Sequence, residues 1–178
     1  MPYYTRRGDD GTSGLLGEGR PAKSDPVFNA IGEIDELNSA IGIALYYTHD
    51  DIVRKHLKVV QNELFIIGAN LASPKVKIVH ASLDAASVVR LEGAIDEMGG
   101  RLPALKKFVI PGGCEAAVHL HLARSVARRA ERSIVALSKR RRVDKALVSY
   151  MNRLSSYLFV AALYLNYTEG IKEVHPTY

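Results

Sequence analysis

Arg124, Arg128 and Glu131 follow one another at spacings of four and three. At about 100° of turn per residue, all three fall on one narrow strip of a helix, flanked by His121 and Arg132. The strip runs beside an alanine-rich apolar seam rather than opposite it, so it is expected to be at least half buried. Asp35 and Asn38 stand in the same way beside Ile34 and Ile41, and Asn152 and Ser155 beside Met151 and Leu154. Half-buried charge is costly unless paired, so these residues should find one another or an anionic ligand. Two arginines with an asparagine offer forked, charge-assisted donors suited to triphosphate oxygens. An ion-pair network between helices or subunits, holding no ligand, accounts for the same pattern.

A second candidate lies at the N-terminus. Five glycines fall between Gly8 and Gly19, interleaved with Asp9, Asp10, Thr12 and Ser13. Such glycines let backbone amides converge on an anion, and Thr5, Thr12, Ser13 and Lys23 add side-chain donors. The stretch does not match G-x-x-x-x-G-K-[ST], and no strand precedes it. Gly-Asp-Gly clusters also make ordinary turns. The basic run Lys139-Arg140-Arg141-Arg142 has no reader helix or interleaved aromatics, which points away from nucleic acid, and cations there complement a helix end. His119 and His121 are two residues apart and face different ways on a helix, so the sequence offers no protein metal cage. Cys114 is the only cysteine. It excludes an intrachain disulfide and suits a reducing, cytoplasmic setting.

These residues need elements to hold them, and five apolar seams with helical spacing supply them. They are Ala30-Ile34-Leu37-Ile41-Ala44, Val53-Leu57-Val60-Leu64-Ile67-Leu71, Val88-Leu91-Ile95-Met98, Ala116-Leu120-Ala123-Ala127-Ala130-Ile134-Leu137 and Leu147-Met151-Leu154-Leu158-Ala161-Leu165. Asp25-Pro26 is a helix start, since the carboxylate accepts from first-turn amides and proline has no amide to satisfy. Pro74 is expected to end the second helix and Gly99-Gly100 the third, while Pro111-Gly112-Gly113 precedes the fourth. Phe108 to Ile110 is the nearest approach to a strand. The expectation is an all-α five-helix bundle in a single domain of 178 residues. An N-terminal loop covers 1–24, the bundle 25–168 and a C-terminal tail 169–178. The small side chains of the fourth seam suit a central helix.

Composition agrees with a globular chain: 47% hydrophobic and 24% charged residues. No apolar run approaches the roughly 20 residues that cross a bilayer, and the polar N-terminus lacks the apolar core of a secretory signal. The net charge of +5 favours anionic partners without choosing among them.

Several blocks resemble the bundle-type cob(I)alamin adenosyltransferases. Residues 4–15, reading Tyr4-Thr5-Arg6-Arg7-Gly8-Asp9-Asp10-Gly11-Thr12-Ser13-Gly14-Leu15, resemble that family's N-terminal signature. Lys23-Ser24-Asp25-Pro26 and Gly32 to Ser39 resemble its next block, and Gln61 to Ala72 its second helix. Phe108 to Gly113, His121 to Arg124 and Arg128 to Arg132 resemble the central block, and Tyr150 to Ser155 the last helix. The resemblance implies a homotrimer with ATP at the subunit interfaces and Mg²⁺ beside the nucleotide. It also implies transfer of the 5′-deoxyadenosyl group of ATP to cob(I)alamin, with release of triphosphate. By this likeness Thr5, Arg6, Gly8, Asp9, Gly11, Thr12, Ser13 and Lys23 wrap the nucleotide, and Arg128, Glu131 and Asn152 complete the pocket. Asp35 pairs with Arg124 across the interface, and Phe108 keeps the lower cobalt position free. A reductase and an adenosylcobalamin-dependent enzyme are implied as partners, nucleic acid and membrane are not. The alternative is a non-catalytic module on the same bundle that binds ATP or delivers adenosylcobalamin.

Overall fold

Asp25, Asp50, Asp84 and Asp144 each stand one residue before a helix and turn a carboxylate oxygen back onto its first turn. The amides of Val27, Val53, Ser87 and Ala146 donate to them, which satisfies groups that a helix start otherwise leaves open. In the computed structural model, which describes residues 3–17, 19–73 and 83–178, these caps open four of five helices. They are α1 (Pro26–Tyr47), α2 (Asp51–Ala72), α3 (Ala85–Gly99) and α5 (Lys145–Thr168). The remaining helix, α4 (Glu115–Ser138), begins after Cys114 with no side-chain cap of its own. Pro26 takes the first position of α1 as expected. Helix α2 ends at Ala72, and Pro74 lies outside the described residues.

Helix α4 packs against both α1 and α5, while α2 packs on α1 and α3 on α5. Every residue of the alanine-rich seam is buried, which is how α4 comes close to both neighbours. Larger side chains there would overpack the core. The first, second and fifth seams are buried throughout. In α3, Leu91 and Met98 are buried while Val88 and Ile95 are only partly covered, as befits an outer helix. Glu63 of α2 accepts hydrogen bonds from Arg90 of α3 and from Tyr150 of α5, the latter at 2.7 Å, so three helices meet at one carboxylate.

The N-terminal segment folds as a hairpin on this body. Thr12 pairs with Ala22 and Leu15 with Gly19 in two isolated bridges. Leu15 is buried against the core, and the Leu16 amide donates to the Ala72 carbonyl at the end of α2. The phenylalanine stretch before α4 makes one strand-like contact, from the Ile110 amide to the Val174 carbonyl of the tail. Among the described residues there is no extended sheet.

Candidate functional site

Phe108, Val109 and Pro111, with Arg124, Arg128 and Ser155, line an open cavity of about 690 Å³ beside α4 and α5. The loop after α3 supplies the apolar wall and the strip on α4 supplies the cations. Arg124 Nε is buried with no hydrogen-bond partner, and its guanidinium lies 5.9 Å from the centre of the Phe159 ring. Burial, then the neighbouring Arg128 charge, push the Arg124 guanidinium down from its usual range. Two adjacent like charges with a buried, unused donor suit an anion. Among the described residues no carboxylate of the same chain pairs with either arginine.

The strip is less buried than its spacing suggests. Arg124 and Glu131 are half buried, but Arg128 is exposed. Glu131 accepts from Asn152 Nδ2 at 2.9 Å, so the amide on α5 and the glutamate on α4 do meet. Asn152 is itself exposed, whereas Ser155, three residues on, is buried.

Asp35 stands elsewhere. It is exposed on α1 in a groove of about 510 Å³ shared with Asn38, Gln61, Lys58 and Phe65. The Phe65 ring is 71% exposed, and Asn38 Oδ1 is buried without a partner. Within one chain Asp35 and Arg124 do not touch. The neighbouring acids of α1, Glu33 and Glu36, are instead taken up by Arg129 of α4.

In the hairpin, Arg6 adopts a left-handed backbone at φ 58°, and Gly11 at φ 78°. The amide and hydroxyl of Thr12 both donate to Asp10 Oδ1, at 2.9 and 2.7 Å, and hold the Asp10 carboxyl below its usual range. Lys23 donates its amide to the Gly11 carbonyl, and its ammonium lies over Gly8, 3.1 Å from where a Cβ would stand. The Thr5 hydroxyl accepts from the Arg7 amide, and Ser13 donates its amide to the Pro21 carbonyl. Asp9 donates its amide to the Arg6 carbonyl. Arg20, which the sequence did not single out, stitches the turn by donating to the Arg7 carbonyl and to the Thr12 hydroxyl. Its only sequence signal was a cation among glycines. Among the described residues, no hydrogen bond or ion pair joins the hairpin to Arg128, Glu131 or Asn152 of the same chain.

His121, beside the strip, is 3% exposed and neither ring nitrogen has a partner. Burial, then the Arg124 charge, lower its pKa from the ordinary 6.5. The folded chain therefore binds fewer protons here than the unfolded one. Stability is intact above about pH 6.5 and falls as the pH drops below it. Thermal unfolding at pH 7.5 and 5.5 tests this: His121→Leu should shrink the acid loss, and an unchanged loss would assign it to other groups, His56 first.

Among the described residues, no group of three or more His, Cys, Asp or Glu is placed to hold a metal ion, and no helix is long and apolar enough to cross a membrane.

Comparison with known proteins gives one family. The sequence pattern of the cobalamin adenosyltransferases matches residues 3–165. A corrinoid adenosyltransferase of Bacillus subtilis is 41% identical over 179 residues, covering 98% of this chain and 91% of that protein. One from Mycobacterium tuberculosis is 44% identical over 169 residues, covering 92% and 88%. Among solved structures, a phenylalanine-to-alanine variant of a PduO-type ATP:corrinoid adenosyltransferase from Lactobacillus reuteri, complexed with cobalamin and ATP, superposes with a TM-score of 0.92. It is 35% identical and covers 99% of this chain and 100% of that one. An arginine-to-lysine variant of such an enzyme from the same organism, complexed with ATP, gives 0.91 at 36% identity, covering 98% and 99%.

Proposed function

The chain belongs to the cobalamin adenosyltransferase family, and we infer from this that it is an enzyme transferring the 5′-deoxyadenosyl group of ATP to the cobalt of cob(I)alamin. Adenosylcobalamin and triphosphate are the products. The observation that carries the reading is the cavity itself, where unpaired cations and an exposed aromatic ring face one space beside α4 and α5. Triphosphate needs the cations, and a corrin suits the ring.

The protein's tasks follow from the chemistry. Cobalt supplies the nucleophile, so no activated serine or cysteine is required. The site must hold the 5′ carbon in line with cobalt and offset the charge that develops on the leaving triphosphate. Arg128, with Asn152 oriented by Glu131, is our choice for the triphosphate. Phe108 is our choice for the face of the corrin, where an apolar ring disfavours a lower axial ligand. The hairpin residues Thr5, Arg6, Gly8, Asp9, Gly11, Thr12, Ser13 and Lys23 close over the nucleotide. Mg²⁺ enters on the ATP, as part of the substrate.

We further propose a homotrimer with the site shared between subunits. Asp35 and Arg124 do not meet in one chain, and the hairpin does not reach Arg128. A head-to-tail ring brings two different faces of identical subunits together. Ile43, Phe65 and Leu122 are exposed apolar residues on α1, α2 and α4 that such contacts would cover. A cytoplasmic setting fits the lone Cys114. A reductase supplying cob(I)alamin and an enzyme using the product would be its partners.

The test is direct. Purified protein with ATP, Mg²⁺ and chemically reduced cobalamin, kept anaerobic, should form adenosylcobalamin, seen in the visible spectrum. ATP binding without product would turn the reading to a non-catalytic nucleotide-binding or delivery module.

A further inference from the structure

Asn166, near the end of α5, is 1% exposed, and its polar groups are fully engaged. Oδ1 accepts from the Cys114 amide at 3.0 Å, at the uncapped start of α4. Nδ2 donates to the Gly112 carbonyl at 3.1 Å and to Glu173 Oε1 at 3.0 Å. Its own carbonyl accepts from the Ile171 amide at 2.8 Å. One side chain thus joins the loop before α4, the start of α4 and the C-terminal tail. The approach is close: Gly113 has φ +115°, and a Cβ there would fall 1.9 Å from Asn166 Oδ1. Only glycine fits.

The tail in turn holds the segment that carries Phe108. The Val174 carbonyl accepts from the Ile110 amide at 2.8 Å, and His175 Nδ1 lies 2.8 Å from the Phe108 carbonyl as its donor. Phe108 itself is 79% exposed, so core packing does not place its ring. Its backbone does, through contacts at residues 108, 110 and 112. Two of these run through the tail, which Glu173 ties to Asn166, and the third is Asn166 itself.

We propose that Asn166 is a positioning residue for the corrinoid substrate: with Glu173 it clamps the loop and the tail to α5 and so fixes where Phe108 stands. This rests on the reading of Phe108 as a corrin-facing residue. It goes beyond that reading in assigning the position of the ring to a buried amide and a tail that line no part of the triphosphate site.

The test compares Asn166→Ala, Glu173→Ala and Glu173→Gln, the last keeping an acceptor for Nδ2. Asn166→Ala and Glu173→Ala should raise the KM for cob(I)alamin on the order of tenfold, the scale of one or two lost hydrogen bonds. The KM for ATP should stay within about twofold, and Glu173→Gln should behave close to the parent. In a Phe108→Ala background the same changes should have little further effect on corrinoid KM, because the two act through one ring. The proposal is overturned if both KM values rise together, if Glu173→Gln is as defective as Glu173→Ala, or if the penalty persists undiminished without Phe108. Should Asn166→Ala not fold, the Glu173 pair reads the same link. If the parent chain made no adenosylcobalamin, the functional reading would fail separately. Titration of cob(II)alamin into the same variants, followed by its visible spectrum, would still report whether corrinoid binding weakens.

Discussion

Arg128→Ala should lower kcat by a factor on the order of 10²–10³, the usual cost of removing one donor aimed at developing charge. The protein should remain folded. Arg128 is exposed on α4, and no side-chain hydrogen bond or ion pair among the described residues depends on its guanidinium. Its loss therefore leaves no buried partner stranded, and relieves the like charge that pushes Arg124 down. Arg128→Lys should fall between parent and alanine, because an ammonium keeps the charge but not the fork that grips two oxygens. Steady-state kinetics in ATP and in cob(I)alamin, with the unfolding midpoint measured alongside, separate these outcomes. A loss confined to KM for ATP would mean that Arg128 binds triphosphate equally in the ground and transition states. Near-normal turnover would remove it from the site.

The contrast between Arg128 and Asp35 shows how far the sequence reaches. Periodicity fixes the angle of a side chain about its own helix axis, so the seams, the helix starts and the shared strip of Arg124, Arg128 and Glu131 are all legible. The angle at which one helix is rolled against its neighbours is not, because it depends on packing between distant segments. That is why Arg128 proves exposed where the strip was expected to be at least half covered. It is also why Asp35 faces a groove on α1 and α2 rather than the arginines. Pairings across 61 to 104 residues, such as Arg153 with Glu92 or Asn29 with Ser133, leave no local trace either. Asn166 is the sharpest case. It looks like one polar residue among apolar ones near the end of α5, and its partners at Gly112 and Cys114 lie 54 and 52 residues away. The resemblance to a family carried what periodicity could not, since its blocks name residues from several helices as one set.

Glu63→Ala should act in the opposite way to Arg128→Ala, lowering stability while sparing turnover of the folded fraction. The carboxylate is 11% exposed and bridges α2 to α3 through Arg90 and to α5 through Tyr150. Removing it leaves a phenol fully buried and a guanidinium largely covered, with Arg90 Nη1 already lacking a hydrogen-bond partner. Breaking such a pair costs about 3–5 kcal/mol when both charges are buried. Arg90 is 30% exposed, so roughly 2–4 kcal/mol is the reasonable scale here. For a chain of this size that lowers the unfolding midpoint by roughly 5–15 °C, provided protein concentration is held fixed. Glu63→Gln should cost less, since the amide oxygen still accepts from one partner. Alkaline pH probes the same cluster from the phenol side. Burial, then the Glu63 charge, raise the Tyr150 pKa far above its ordinary 10.0, so the folded chain keeps a proton that the unfolded chain releases. Stability is therefore full below about pH 10 and declines above it, and Tyr150→Phe should flatten that decline. If Glu63→Ala left the midpoint within a degree or two of the parent, the cluster would not be holding α2, α3 and α5 together, and packing of the apolar seams alone would have to account for their docking.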